Sequence, residues 1–388
     1  MNAKKTLMSF ILVSLALMTV LLCCGCTSSA TSPSSSGTTF SNNSAVTITD
    51  GYGRSVTIPA NPDRIICSGA GCLRYIVYLG AQDKVVGVDS IEKKNQTNEA
   101  RAYTIANPQL ANLPLIGEFR GKDDPEKIVA IDPQVIFKTG SVTDQPASVI
   151  AAADTLQNKT GIPVIAIPYG SLKNEKEQAQ MDNSLTLMGR ILGKEKRAAE
   201  LIGFINATSA DLESRTGNIS GATQKTVYIG GVSSSGAHGF VSTEPAYPPF
   251  LWVHAKNIAA GSSSEHADIS KEVIVEENPE YIFIDAGTLQ IANGSAIDEL
   301  KNNPAYSSLS AVKNGKVYGV LPYNFYTTNY ESVLADAYFV GKTLYPDRFA
   351  DIDPVAKADS IYTEFVGVPV FEYIKTNNGN IGFEKIEL

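Results

Sequence analysis

Two stretches of this chain spell one twelve-residue pattern. Glu126 to Phe137 reads E-K-I-V-A-I-D-P-Q-V-I-F and Glu272 to Phe283 reads E-V-I-V-E-E-N-P-E-Y-I-F, so both fit E-x-I-V-x-x-x-P-x-x-I-F without a gap. Each reads as a short helix stopped by a proline and followed by a buried strand, over residues 135–138 and 281–285. Self-similarity at about half the folded length implies two equivalent lobes. Further β-rich runs at 64–67, 85–88, 164–167, 226–229 and 316–320 alternate with helical stretches. Strands separated by helices predict mainly parallel sheets covered on both faces, an α/β class with two Rossmann-like lobes.

Between the lobes, residues 175–215 carry few breakers and an apolar spacing through Leu185, Met188, Ile191, Leu192, Leu201, Ile202 and Ile205. This predicts one long connector helix, weakened at Gly189 and Gly193. The lobes are then 46–174 and 216–388.

Residues 1–26 read as an export signal. Lys4 and Lys5 precede an apolar run from Leu7 to Leu22 of 16 residues, short of the about 20 that a membrane span needs. The run ends at Cys23-Cys24-Gly25-Cys26, where a small residue before Cys26 is similar to a lipidation site. Residues 27–45 are almost all Ser, Thr, Gly, Asn and Pro, a composition that predicts a flexible leash. The formal charge is −8, and −10 once the first 25 residues, with two lysines and no acid, are removed. No basic block exists to hold a polyanion, which argues against nucleic acid as a partner. Three of the five cysteines lie in the signal, leaving Cys67 and Cys72 to close a small bridge or to pack as thiols.

The body opens with I-T-D-G-Y-G-R-S-V-T-I-P-A-N-P-D-R-I (48–65) and continues with L-G-A-Q-D-K-V-V-G-V (79–88). The repeated motif, T-G-I-P-V-I-A-I (160–167), M-G-R-I-L-G-K-E-K-R-A (188–198), A-V-K-N-G-K-V-Y (311–318) and Y-P-D-R-F (345–349) follow. In this order and spacing the chain resembles the periplasmic binding proteins for ferric siderophores, haem and cobalamin. The resemblance implies the helical-backbone binding-protein fold, with a ligand cleft between the lobes. It also implies a lipoprotein on the outer face of the cell membrane, delivering a ferric chelate to an ABC permease dimer with its cytoplasmic ATPase. Haem, cobalamin or a free transition metal are alternative ligands. By the same resemblance Glu126 and Glu272 are the carboxylates that dock on the permease, and each lies where a carboxylate favours a helix start.

Ligands of open α/β lobes bind beyond the carboxyl ends of the strands. The loops there offer Arg74 and Tyr75; Phe119, Arg120 and Lys122; His238, Phe240, Tyr247, Phe250 and Trp252; and Tyr323, Phe325, Tyr326 and Tyr330. Arginine suits carboxylate and hydroxamate oxygens, and aromatic faces suit a bulky flat chelate. All three histidines, His238, His254 and His266, fall within one window and are candidate metal ligands, although their spacing matches no standard motif. The chain carries no G-x-S-x-G, P-loop, H-E-x-x-H or full dinucleotide fingerprint, so an enzyme or a bound cofactor is not expected.

Overall fold

The computed structural model describes residues 45–94, 96–140, 144–263 and 265–388. The export signal with Cys26 and all but the last residue of the leash lie outside the described residues. Among those described, no helix is long and apolar enough to cross a membrane.

The N-terminal lobe begins with an antiparallel hairpin, β1 (Ala45–Thr49) and β2 (Ser55–Pro59). Then come β3 (Ile65–Ser68), α1 (Cys72–Tyr78), β4 (Val85–Gly87), α2 (Pro125–Ile131), β5 (Val135–Thr139) and β6 (Val164–Ile167). The sheet is parallel throughout, in the order β4-β3-β5-β6. Successive side chains on a strand point to opposite faces. Ile65, Val135, Phe137, Ile165 and Ile167 therefore join one core, while Ile66, Ile136, Val164 and Ala166 join a second beneath α2.

The connector departs from the single helix that its sequence predicts. It is a pair, α3 (Glu175–Leu192) and α4 (Glu195–Thr216), broken where Gly193 takes φ 67°. A non-glycine residue rarely adopts that conformation, so the glycine ends α3 rather than merely weakening it. The chain then reverses: Gln178 Nε2 donates to Asn206 Oδ1 at 2.8 Å, so the helices lie antiparallel. The crossing helix is α4 alone, whose 22 residues span about 33 Å at 1.5 Å per residue.

The C-terminal lobe holds β7 (Thr226–Gly230), β8 (Lys256–Asn257), α5 (Lys271–Glu277), β9 (Tyr281–Asp285), β10 (Val317–Val320), α6 (Tyr330–Leu344), α7 (Pro354–Val366) and β11 (Glu384–Lys385). Its sheet order is β8-β7-β9-β10-β11, parallel except for the edge strand β11. The inner-face residues Val227, Ile229, Phe283 and Val320 join the same core as the inner face of the N-terminal sheet. Met181, Leu185, Leu201 and Ile205 of the helical pair belong to it too. One continuous core under both lobes allows only small rigid-body motion, because packed interiors do not deform smoothly.

The repeat is visible in three dimensions. Both α2 and α5 are seven residues long, bury one isoleucine (Ile128, Ile274), and end at a left-handed residue (Asp132, φ 56°; Asn278, φ 44°) before the proline. Cys67 and Cys72 are buried free thiols, and Cys72 Sγ lies 3.4 Å from the Phe137 carbonyl, so of the two expected states the packed thiols are found.

Candidate functional site

The carboxyl ends of both sheets meet at a junction dominated by one C-terminal loop, residues 321–329. Two buried carboxylates suspend it. Leu321 N donates to Asp336 Oδ1 at 3.0 Å and Tyr323 N to Asp285 Oδ2 at 2.8 Å. Burial pushes the Asp285 carboxyl up to about 7 and the Asp336 carboxyl well above its ordinary range. At the tip, Tyr326 and Thr327 both take positive φ, 55° and 73°. Two consecutive left-handed residues that are not glycine cost about 1–3 kcal/mol each and persist only where their surroundings hold them.

The tip reaches the other lobe. The Tyr326 hydroxyl donates to Asp89 Oδ2 at 2.6 Å and accepts from Arg120 N at 2.8 Å, and Arg120 itself has φ 61°. Burial raises the Asp89 carboxyl to about 6; the neighbouring Glu92 adds to this, while the Tyr326 hydrogen bond opposes it. Beside this contact the half-buried Phe119 ring carries two cations, Lys94 Nζ at 4.9 Å and the Arg120 guanidinium at 5.4 Å, with the Tyr326 ring edge-on at 6.3 Å. Neither cation has a carboxylate partner among the described residues, and both are exposed. By contrast Arg101, beneath Phe325 at 5.4 Å, is neutralised by Glu92 at 3.0 Å and Glu99 at 2.6 Å.

Of the residues expected to line the cleft, Phe119, Arg120, Phe325, Tyr326 and His238 come to the junction, and Tyr323 lies buried at its flank. Most of the rest have other work. Arg74 is fully buried and straps the lobes together, donating to Tyr169 Oη at 2.6 Å, Asn329 Oδ1 at 2.5 Å, the Phe325 carbonyl at 3.1 Å and the Thr328 carbonyl. Gly71 (φ 80°) admits this packing, since a Cβ there would lie 2.0 Å from the Tyr169 ring. Tyr75 stacks on Tyr169 with centroids 5.0 Å apart, in the core rather than the cleft. Phe240 is buried with Tyr228 and Tyr306 under the C-terminal sheet. Tyr247 is core, hydrogen-bonded to Asp336 at 3.1 Å. Trp252 packs at the far end of α4, where its carbonyl accepts from Thr216 Oγ1 at 3.1 Å. Tyr323 is buried and packs on Tyr247 at 5.4 Å, but its hydroxyl has no partner among the described residues.

The three histidines do not converge. The His238 and His266 rings are 5.5 Å apart, with His238 Nε2 on the Ser234 carbonyl at 2.7 Å and His266 Nε2 on Ser242 Oγ at 2.6 Å. His254 pairs instead with Glu213 near the end of α4, at 2.7 Å. Among the described residues no group of three His, Cys, Asp or Glu is disposed to hold a metal ion. Sequence reasoning passed over Asp89, Lys94 and the cross-lobe ion pair of Lys173 with Glu244 at 3.0 Å. Asp89 carried a usable signal, a carboxylate just past the end of a buried strand (V-V-G-V-D).

Glu126 and Glu272 occupy the second position of α2 and α5, both exposed, behind the N-caps Asp124 and Ser270. The Glu272 carboxyl is held below its usual range by its own backbone N–H and the Ser270 hydroxyl. A separate cavity of about 660 Å³ opens at the outer edge of the N-terminal lobe, between Val85, Leu115, Lys127 and Ile131, away from the lobe junction.

A family model described as periplasmic binding protein matches residues 65–323. The molybdate-binding protein MolA of Haemophilus influenzae is 25% identical over 339 residues, covering 82% of this chain and 90% of that protein. The petrobactin-binding protein YclQ of Bacillus subtilis is 22% identical over 310 residues, covering 79% and 89%. The solved structure of molybdate-bound MolA superposes with a TM-score of 0.66 at 21% identity, covering 84% of this chain and 98% of that one.

Proposed function

The chain belongs to the periplasmic binding protein family, the solute-binding component of ABC importers, and from that premise we propose that it captures an anionic, oxygen-donor metal chelate, a ferric siderophore foremost, where the two lobes meet. The observation that carries this reading is the pair of uncompensated cations, Arg120 and Lys94, on the Phe119 ring beside the Tyr326–Asp89 contact. A guanidinium and an ammonium left without carboxylates are ready for ligand oxygens, and the aromatic edges beside them supply apolar area for a flat chelate. In this reading Arg120, Tyr326, Phe325 and His238 contact the ligand. Glu126 and Glu272 meet the permease, and a lipid on Cys26 holds the protein at the outer membrane face.

A second reading is favoured by the MolA relative, whose name gives molybdate as its ligand. A small oxyanion would use the same two cations without needing the aromatic flank. Calorimetry on residues 27–388 separates the two. Ferrioxamine B, a ferric catecholate, haem, cobalamin, molybdate and bare divalent metals are titrated in turn. Saturable binding of a ferric chelate, weakened tenfold or more in Arg120→Ala and Lys94→Ala, is expected. Binding of molybdate alone, or of bare metal alone, overturns the chelate reading.

A further inference from the structure

The flank of the junction opposite Arg120 has the reverse charge. Lys173, leaving the N-terminal sheet, reaches into the C-terminal lobe and pairs with Glu244 at 3.0 Å and Glu265 at 2.9 Å. One cation against two carboxylates leaves the flank negative. Glu177 adds to it, though its own carboxylate is engaged by the Ser171 hydroxyl and Asn174 Nδ2.

Two buried groups at this flank lack partners. Glu244 is 1% exposed; its Oε2 takes Lys173, the Ala246 N–H also bears on the carboxylate, and its Oε1 has no hydrogen-bond partner within 3.5 Å among the described residues. The Tyr323 hydroxyl, equally buried, has no hydrogen-bond partner within 3.5 Å among the described residues, although Thr328, whose hydroxyl donates to Asn324 Oδ1 at 3.2 Å, lies beside it and bears on it. Burial first and the Glu244 charge next hold this phenol well above the ordinary tyrosine range; Thr328 opposes them, and Glu177 and Glu265 add less. An unsatisfied buried polar group costs about 1–3 kcal/mol, so an acceptor and a hydroxyl left open on one flank mark a place for a polar guest. Lys173 and Glu244 belong to different lobes, so any separation of the lobes exposes the guest's position.

We propose that this flank receives a protonated amine carried by the ligand, so that the chelate recognised has two unlike ends: negatively polarised donor oxygens around its metal and a cation at one arm. The inference rests on the chelate reading above. Glu244 Oε1 accepts from the ammonium and Glu265 screens it from outside, while Arg120 and Lys94 hold the donor oxygens at the other side of the junction. Each end of the ligand then meets its electrostatic complement, which sets orientation as well as affinity.

Ferrioxamine B and ferrioxamine E test this, because both wrap iron in three hydroxamates but only the former carries a pendant ammonium. Calorimetry on the wild type is expected to give at least tenfold tighter binding of ferrioxamine B. Glu244→Gln, a near-isosteric change, is expected to narrow that ratio to below twofold, and Glu265→Gln, at the solvent edge, to narrow it in part. Equal affinity for the two chelates in the wild type overturns this inference and leaves the chelate reading standing. A ratio that survives Glu244→Gln overturns the assigned position. Binding of neither chelate overturns this inference, while the chelate reading then stands or falls on the ferric catecholate titration above. Unchanged thermal melting of the two variants guards against a folding defect.

Discussion

Tyr326 of the C-terminal lobe and Asp89 of the N-terminal lobe share a hydrogen bond of 2.6 Å, and the same hydroxyl accepts the backbone N–H of Arg120. A hydroxyl donating to a buried carboxylate at this length is a strong, charge-assisted contact. Because Arg120 and Tyr326 both hold left-handed backbones to make it, the closed junction is where strain is stored.

Tyr326→Phe therefore removes a latch. Hydrogen bonds to charged groups contribute about 1.5–3 kcal/mol, so the closed form loses about ten- to hundredfold in population relative to the open one. Amide exchange over residues 321–329 is expected to quicken, and calorimetry to show a loss of chelate affinity of at least tenfold. Wild-type values for both would remove the latch from the account.

Arg74 gives a contrasting expectation. Sequence placed it in the cleft, but its guanidinium is spent on Tyr169, Asn329 and two carbonyls, with the buried Glu331 nearby. Arg74→Met strands those acceptors, and breaking such a buried ionic set costs about 3–5 kcal/mol. The urea midpoint should fall sharply, while the molecules that remain folded keep their preference among ligands. A variant of normal stability with altered ligand preference would return Arg74 to the binding site.

The fold was legible because its signals are local and repeated. The motif at Glu126 and Glu272 carries helix, stop and strand together, and both copies fold as the pattern requires. Gly193 was legible as a weakness and not as a reversal, since periodicity says nothing of the direction taken after a left-handed stop. The site was harder to read for a different reason. Tyr75, Tyr247 and Tyr323 are chemically suited to a cleft, but a phenol is as easily buried, and only packing decides which: α1 against α6 for Tyr75, and the mutual contact of Tyr247 and Tyr323 beside Asp336 for the other two. Lys94 and Phe119 meet across a loop whose course no residue pattern announces.

The buried carboxylates also set a pH dependence. Asp285 stands near 7 in the folded protein against 3.8 for the free group, because burial disfavours its charge. The folded state thus binds a proton that the unfolded state releases. Its contribution to stability is fully present below about pH 4 and is lost as pH rises through about 7. Asp89, raised to about 6 by burial, acts with the same sign. The melting temperature should decline between pH 5 and pH 8, and Asp285→Asn should flatten that decline. An equally steep profile in the variant would show that Asp285 is not the titrating group.

Glu126 and Glu272 stand at matching positions of α2 and α5, exposed and free of the ligand junction. A pair of equivalent carboxylates, one on each lobe, suits a permease built from two like subunits with a basic pocket on each. Charges at the rim of an interface act mainly on encounter and register, and salt screens them over about 8 Å at physiological ionic strength. Glu126→Lys with Glu272→Lys should leave chelate affinity close to wild type and lower melting only slightly, because both side chains are exposed and Glu272 gives up only its own N–H and the Ser270 hydroxyl. Delivery should fail by tenfold or more when the protein is added to the permease and ATPase in proteoliposomes, with each single variant falling between. Raising the salt should slow delivery by the wild type and leave the already defective double variant unmoved. Wild-type delivery by the double variant would place the permease contact elsewhere on the lobes.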